Sequence, residues 1–172
     1  LVHVSTAFVH GRHSGAPTAP LPEALPDLEG LDPERIYHSA RETHPPGALS
    51  ALAFLGHPNT YTFTKALTEH LLVRARPRPC LLRLCIMRPS IVSPSWVFPW
   101  PGWTGERPST VTGCLVLILR RVTKTFLLGP HPAPIVPVDV VSRAIVHRAL
   151  GWGCTAGMGA GAGAAGGAKV NV

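Results

Sequence analysis

Acidic residues, lysine and tyrosine are all scarce in this chain. Its 172 residues hold nine Asp and Glu against sixteen Lys and Arg, giving a formal net charge of +7, and only two residues are Tyr. Excess positive charge raises the question of a nucleic-acid partner. Arg74, Arg76 and Arg78 cluster around Pro77 and Pro79, yet no aromatic lies between Phe63 and Trp96. Single-strand binders interleave aromatics with their cations, so the pattern points to a solvated helix end and to no nucleic acid. Cysteine is equally sparse. Cys80, Cys85, Cys114 and Cys154 show neither Cys-x-x-Cys nor metal spacing, which predicts reduced thiols in an intracellular protein. The nine His are scattered, with no His-x-x-x-His, so no metal site is expected. No uncharged apolar run approaches the ~18 residues of a membrane span. The nearest, Val111 to Leu119, closes on Arg120 and Arg121. Leu1 to Val4 is too short for a signal peptide and lacks the charged lead-in.

Proline and glycine are plentiful. The 19 Pro and 17 Gly are about a fifth of the chain, enough to make long stretches irregular. Leu1 to Ser5 reads as a buried strand. Gly11 to Pro33 reads as a Pro-rich loop. Asp32-Pro33-Glu34 combines an N-cap, a first-turn Pro and an acid, predicting a helix to about Glu42. His44-Pro45-Pro46-Gly47 should end it. Asn59 or Thr60 then caps a second helix to about Arg74, with Ala66, Leu67, His70 and Leu71 on one face. Leu81 to Met87 reads as a buried strand whose Arg83 must pair or reach solvent. Pro89 to Pro108 reads as a loop carrying Trp96, Trp100 and Trp103. Leu115 to Phe126 suits a helix or a strand. Asp139 should cap a helix from Val140 to about Leu150, with Val141, Ile145 and Ala149 on one face. Gly151 to Gly167 is Gly/Ala low complexity. The alternation predicts an α/β fold with a parallel sheet, as one domain over 1–152 and a flexible tail over 153–172.

The most informative spacing is Tyr61-Thr62-Phe63-Thr64-Lys65. Residues four apart share a helix face, so a phenol and an ammonium are aimed at one point. A neighbouring cation favours a phenolate, and a phenol so placed can pass a proton to a carbonyl oxygen. Ser5 or Thr6, at a strand end, could add a hydroxyl. The bland alternative is Tyr61 packed on the core edge beside a solvated Lys65.

Five motifs in order extend the pattern: His3 to Phe8, Pro58 to Leu67, Arg88 to Val92, Pro101-Gly102-Trp103, and Val136 to Val141. Together they resemble the fatty acyl-CoA reductases, the male-sterility group of the extended short-chain dehydrogenases/reductases. The resemblance implies the second half of a Rossmann-type parallel sheet. It implies NADPH as cofactor and a fatty acyl-CoA as substrate, reduced twice to an alcohol. It gives Tyr61 the proton donor's role and Lys65 the role of tuning Tyr61 and holding the nicotinamide ribose. Thr6, with Ser5 as second choice, would bond the carbonyl oxygen. Pro89, Ser90, Ile91 and Val92 would lie beside the nicotinamide, and Trp96, Pro101, Gly102 and Trp103 on the substrate side. It also implies a peroxisomal membrane location, through a C-terminal segment not seen in this sequence. Basic charge suits an anionic CoA or dinucleotide.

Departures from the family pattern are several. The Gly-x-x-Gly-x-x-Gly phosphate loop is missing, Phe8 replaces a Tyr, and Gly11 to Gly56 follows the family poorly. These suggest a partial chain or a degraded copy. The competing expectations are another extended reductase, acting on carrier-bound thioesters or sugar nucleotides, and a non-catalytic remnant.

Overall fold

A computed structural model describes residues 1–10, 21–42, 45–75, 83–106, 110–122, 133–151 and 169–171. The fold is mixed α/β with small parallel sheets, as the alternation predicts. It divides into two compact units: Leu1–Arg88 together with the C-terminal strand, and Pro89–Thr155.

The first unit is organised around one helix. Asn59 holds extended backbone and its side chain accepts a hydrogen bond from the Thr62 amide at 2.9 Å, so the chain turns helical at Thr60. Helix α3 (Thr60–Arg74) follows; ahead of it stand β1 (Val2–Val4), α1 (Pro33–Glu42) and α2 (Pro45–Phe54). Strand β2 (Cys85–Met87) runs parallel to β1, pairing Val2 with Cys85 and Val4 with Met87, and β5 (Lys169–Asn171) pairs with the other edge of β2. Parallel neighbours require a crossover, which the three helices provide. Phe63, Ala66 and Leu67 bury one side of α3, and Phe63 packs with Leu28, Ile36 and Leu55. Burying a side chain of that size is worth about 1.5–3 kcal/mol. Ile86, fully buried on the central strand, packs with Leu84, Leu25 and Leu72.

Several expectations are corrected here. Asp32 does precede α1, its Oδ1 accepting from the Glu34 amide at 3.0 Å. Helix α1 ends at Glu42, just ahead of His44-Pro45-Pro46-Gly47, but Pro45-Pro46-Gly47 also opens a further helix, α2, that the pattern did not announce, because proline is tolerated in a first helical turn. Strand β2 is shorter than Leu81 to Met87. Arg83 lies ahead of it, exposed, which spares the sheet an unpaired charge. Residues 81–82 lie outside the described residues, as do 11–20 of the Pro-rich segment and 152–168 of the Gly/Ala run, while Lys169–Asn171 form β5.

In the second unit, β3 (Ile91–Ser93) and β4 (Ile135–Pro137) pair in parallel, Ile91 opposite Ile135. Helix α4 (Thr110–Leu119) lies in sequence between them and α5 (Val138–Ala149) follows at once. Pro89 to Pro108 is therefore not all loop. The three residues of β3 are β-branched or small, but flanking prolines hide so short a strand. Over Leu115 to Leu119 the choice resolves as helix, while 123–126 lie outside the described residues. Asp139 does not cap α5. Pro137 occupies the N-cap position without a side-chain hydrogen bond, and Asp139 sits in the first turn.

Candidate active site at the end of the first strand

Helix spacing brings Tyr61 and Lys65 onto one face, with the Lys65 ammonium 6.0 Å from the Tyr61 ring centroid. Lys65 Nζ donates to the Val4 carbonyl at 2.8 Å. That bond ties the ammonium to the C-terminal end of β1, where Ser5 and Thr6 follow, both buried. The Thr6 hydroxyl accepts a long 3.4 Å bond from the Phe8 amide. The Ser5 hydroxyl is buried with no partner among the described residues, and so is Nε2 of His3. Unpartnered buried polar atoms are uncommon and need an explanation, such as a ligand or a water. Tyr61 is 54% exposed. Burial, and then the Lys65 charge, hold the His3 imidazole below its ordinary range, with Glu69 opposing.

This geometry fits a nicotinamide nucleotide. An ammonium has three donors, and one hydrogen bond to Val4 leaves Lys65 others for a ribose hydroxyl. The phenol is open, and two hydroxyls stand at the strand end. Of the predicted set, Ser5, Thr6, Tyr61 and Lys65 belong to the first unit, where Lys65 stands by the Tyr61 ring and bonds the carbonyl of Val4, the residue before Ser5. Pro89, Ser90, Ile91, Val92, Trp96, Pro101, Gly102 and Trp103 belong to the second.

Behind the site lies an ion pair that the sequence did not single out. Glu69, two helical turns beyond Tyr61, is fully buried, and its carboxylate takes Arg88 Nε at 3.0 Å and Nη2 at 2.6 Å. Arg88 also donates to the carbonyls of Pro22 and Ala24 at 3.0 and 2.9 Å, and Nη1 lies 3.1 Å from His10 Nε2. One guanidinium thus ties α3 to two distant loops. The signal was present, since a Glu between apolar helix positions demands a partner.

In the second unit, a single carboxylate organises the tryptophan loop. Asp139 accepts from the backbone amides of Trp96, Val97 and Phe98 at 2.9, 3.0 and 3.2 Å. Those amides, led by Trp96, hold its carboxyl down at about 2. Ser95 closes the other side of the loop: its hydroxyl donates to the Trp100 carbonyl and accepts from the Trp103 amide. Gly102 turns the chain at φ 83, a conformation that an L side chain adopts only under strain even though the space around it is open. The clamp leaves Trp96, Phe98 and Trp100 60–73% exposed.

Among the described residues, no group of three or more His, Cys, Asp or Glu could hold a metal ion, and no helix is long and apolar enough to cross a membrane.

A parallel α/β fold with a Tyr–Lys pair at a strand's carboxyl end suits a dinucleotide-binding domain. A family model of the NAD-binding type, described as male sterility protein, matches residues 1–145, and the chain belongs to that family. Among similar proteins, "Probable fatty acyl-CoA reductase 4" of Arabidopsis thaliana is 29% identical over 174 residues, covering 87% of this chain and 34% of its own length. Fatty acyl-CoA reductase 1 of Homo sapiens is 31% identical over 146 residues, covering 81% and 26%. Its counterpart from Xenopus laevis is 28% identical over 143 residues, with the same coverage. The chain thus spans about a third or less of the length of these curated relatives.

Proposed function

We propose that this protein reduces long-chain fatty acyl-CoA to the fatty alcohol with NADPH. The observation that carries the proposal is the Lys65 ammonium fixed on the Val4 carbonyl, beside the Ser5 and Thr6 hydroxyls and one turn from an open Tyr61 phenol. Family membership and the relatives named as fatty acyl-CoA reductases support it.

A bound nicotinamide supplies hydride. The chain's own residues manage the oxygen. Thr6, or Ser5, hydrogen-bonds the thioester carbonyl, and that bond strengthens as negative charge develops on the oxygen. Tyr61 delivers a proton to the same oxygen, and Lys65 holds the ribose and keeps a positive charge near the phenol. The first reduction takes one hydride and one proton: the carbon–sulfur bond breaks, the proton leaves with the sulfur as the CoA thiol, and an aldehyde remains. The second takes another hydride and a proton, giving the alcohol. In this scheme Pro89, Ser90, Ile91 and Val92 flank the nicotinamide, and Trp96 with Pro101, Gly102 and Trp103 serve the acyl side. The first unit's β-α-β is part of a Rossmann-type sheet. Peroxisomal membrane placement belongs to the same proposal and is checked by fractionation of cells.

The test is product analysis. The protein at its full natural length, given palmitoyl-CoA and NADPH, should yield hexadecanol and free CoA by mass spectrometry, and should use NADH poorly. Turnover of a sugar nucleotide only, or of no substrate, would overturn the proposal.

A further inference from the structure

We infer that His3 is a positioning residue for Lys65: its Nε2, the Ser5 hydroxyl and the Lys65 ammonium share one buried water at the end of β1. Strand geometry puts the first two together. The ladder to β2 continues one residue past β1, where the Ser5 amide donates to the Met87 carbonyl at 2.7 Å. Side chains alternate along a strand, so His3 and Ser5 stand on one face and Val4, which is exposed, on the other. Their face is the one turned to α3, because the charges that act on His3 are those of Lys65 and Glu69 on that helix. His3 Nε2 and Ser5 Oγ are both buried, and neither has a partner among the described residues. Residues two apart on a strand are separated by roughly 6.5 Å, a span that one bridging molecule closes.

The chemistry of the three groups fits a water. A buried water typically makes about three hydrogen bonds. Here it donates to Nε2 and to Oγ and accepts from Lys65, which spends one of its three protons on Val4 and keeps the last for a ribose. Nε2 accepts only in a neutral ring that carries its proton on Nδ1. Burial and the Lys65 charge both favour that neutral form. Glu69 pulls the other way, but its carboxylate is bound by Arg88. Across the ladder, the partner of His3 is the apolar Ile86. Ser5 is then committed to the water, and the substrate carbonyl falls to Thr6.

The inference deepens the reductase proposal and rests on it for the ribose and the substrate, but its first test does not require turnover. A high-resolution crystal structure of the full-length protein should show a water about 2.7–3.2 Å from all three atoms. A dry site, or a water that misses His3 or Lys65, would overturn the inference. The second test is the pH profile of kcat/KM for palmitoyl-CoA. A depressed histidine is neutral above its folded pKa and charges as pH falls through it, so an acid limb should lie below 6.5. On that limb His3 no longer accepts, and Lys65 loses its brace. His3→Gln supplies an acceptor that does not titrate, so it should keep most of the neutral-pH turnover and lose the limb. His3→Phe supplies none and should lower kcat by about 10- to 100-fold, the scale of a slightly misplaced catalytic group. A limb unchanged in His3→Gln would overturn the inference as well. Should His3→Phe fail to fold in a thermal melt, the water and the Gln variant decide. If the water is found and palmitoyl-CoA is not reduced, the site stands and the reductase proposal falls. If palmitoyl-CoA is reduced over a dry site, the reverse holds.

Discussion

Two carboxylates organise the two units, by opposite means. Glu69 is sealed in the first unit and meets a guanidinium, so two full charges are buried and every donor of Arg88 must find an acceptor. Asp139 meets three backbone amides, and no cation is spent on it. The difference teaches what each region is built for. The Glu69–Arg88 pair ties α3 to the loops around Pro22 and Ala24 and fixes the helix that carries Tyr61 and Lys65. The Asp139 clamp fixes only a loop and leaves Trp96, Phe98 and Trp100 in solvent.

The comparison breaks most visibly at Glu69. Glu69→Leu strands the Arg88 charge in the interior, and removing one partner of a buried pair costs about 3–5 kcal/mol. Thermal or urea melts of the variant should show the first unit collapsing. A stability change within the range of a surface substitution would mean that the pair is not buried as described.

Asp139 should give a smaller, local effect. Its folded carboxyl sits at about 2, below the ordinary 3.8. A depressed carboxyl contributes stability that is fully present above its unfolded value and is lost as pH falls through the folded one. Tryptophan emission from the loop should therefore hold steady above about pH 5 and shift between about pH 4 and pH 2. Asp139→Ala should show the shifted emission at neutral pH and no acid transition of its own. An acid transition that survives in the variant would assign it to another group.

The smallest effect belongs to the helix start. Asn59→Ala removes the acceptor for the Thr62 amide, a loss of typically ~1 kcal/mol. The Tm should fall modestly, and Asn59→Ser should recover most of it.

How much of this was legible varied with the kind of interaction. Helix α3 was readable because its cap is local: Asn59 bonds an amide three residues on. The Tyr61–Lys65 pair was readable because helix spacing alone puts the two side chains together. The anchoring of Lys65 on Val4 was not, since it joins residues 61 apart in the chain. Asp139 was misread for a related reason. A carboxylate at a helix start normally serves its own helix, and only the fold shows that the amides of Trp96, Val97 and Phe98 reach it first. Likewise α2 was hidden by its opening prolines, which read equally well as a stop and as a start. The inner face of α5 was placed at Val141, Ile145 and Ala149, of which the first two are partly buried and Ala149 is exposed, and periodicity gave no hint that Asp139 on this helix meets the tryptophan loop.

The central claim is that Tyr61 gives a proton to the substrate oxygen from a site fixed at the end of β1. Steady-state turnover of palmitoyl-CoA by full-length Tyr61→Phe tests it most directly, with a melt alongside. Tyr61 is exposed and its ring is retained in the variant, so the Tm should not move. Turnover should fall by about 10²-fold or more, the usual worth of a general acid. Undiminished turnover with an unchanged melt would contradict the account and leave Tyr61 as a surface residue that happens to stand one turn from a lysine.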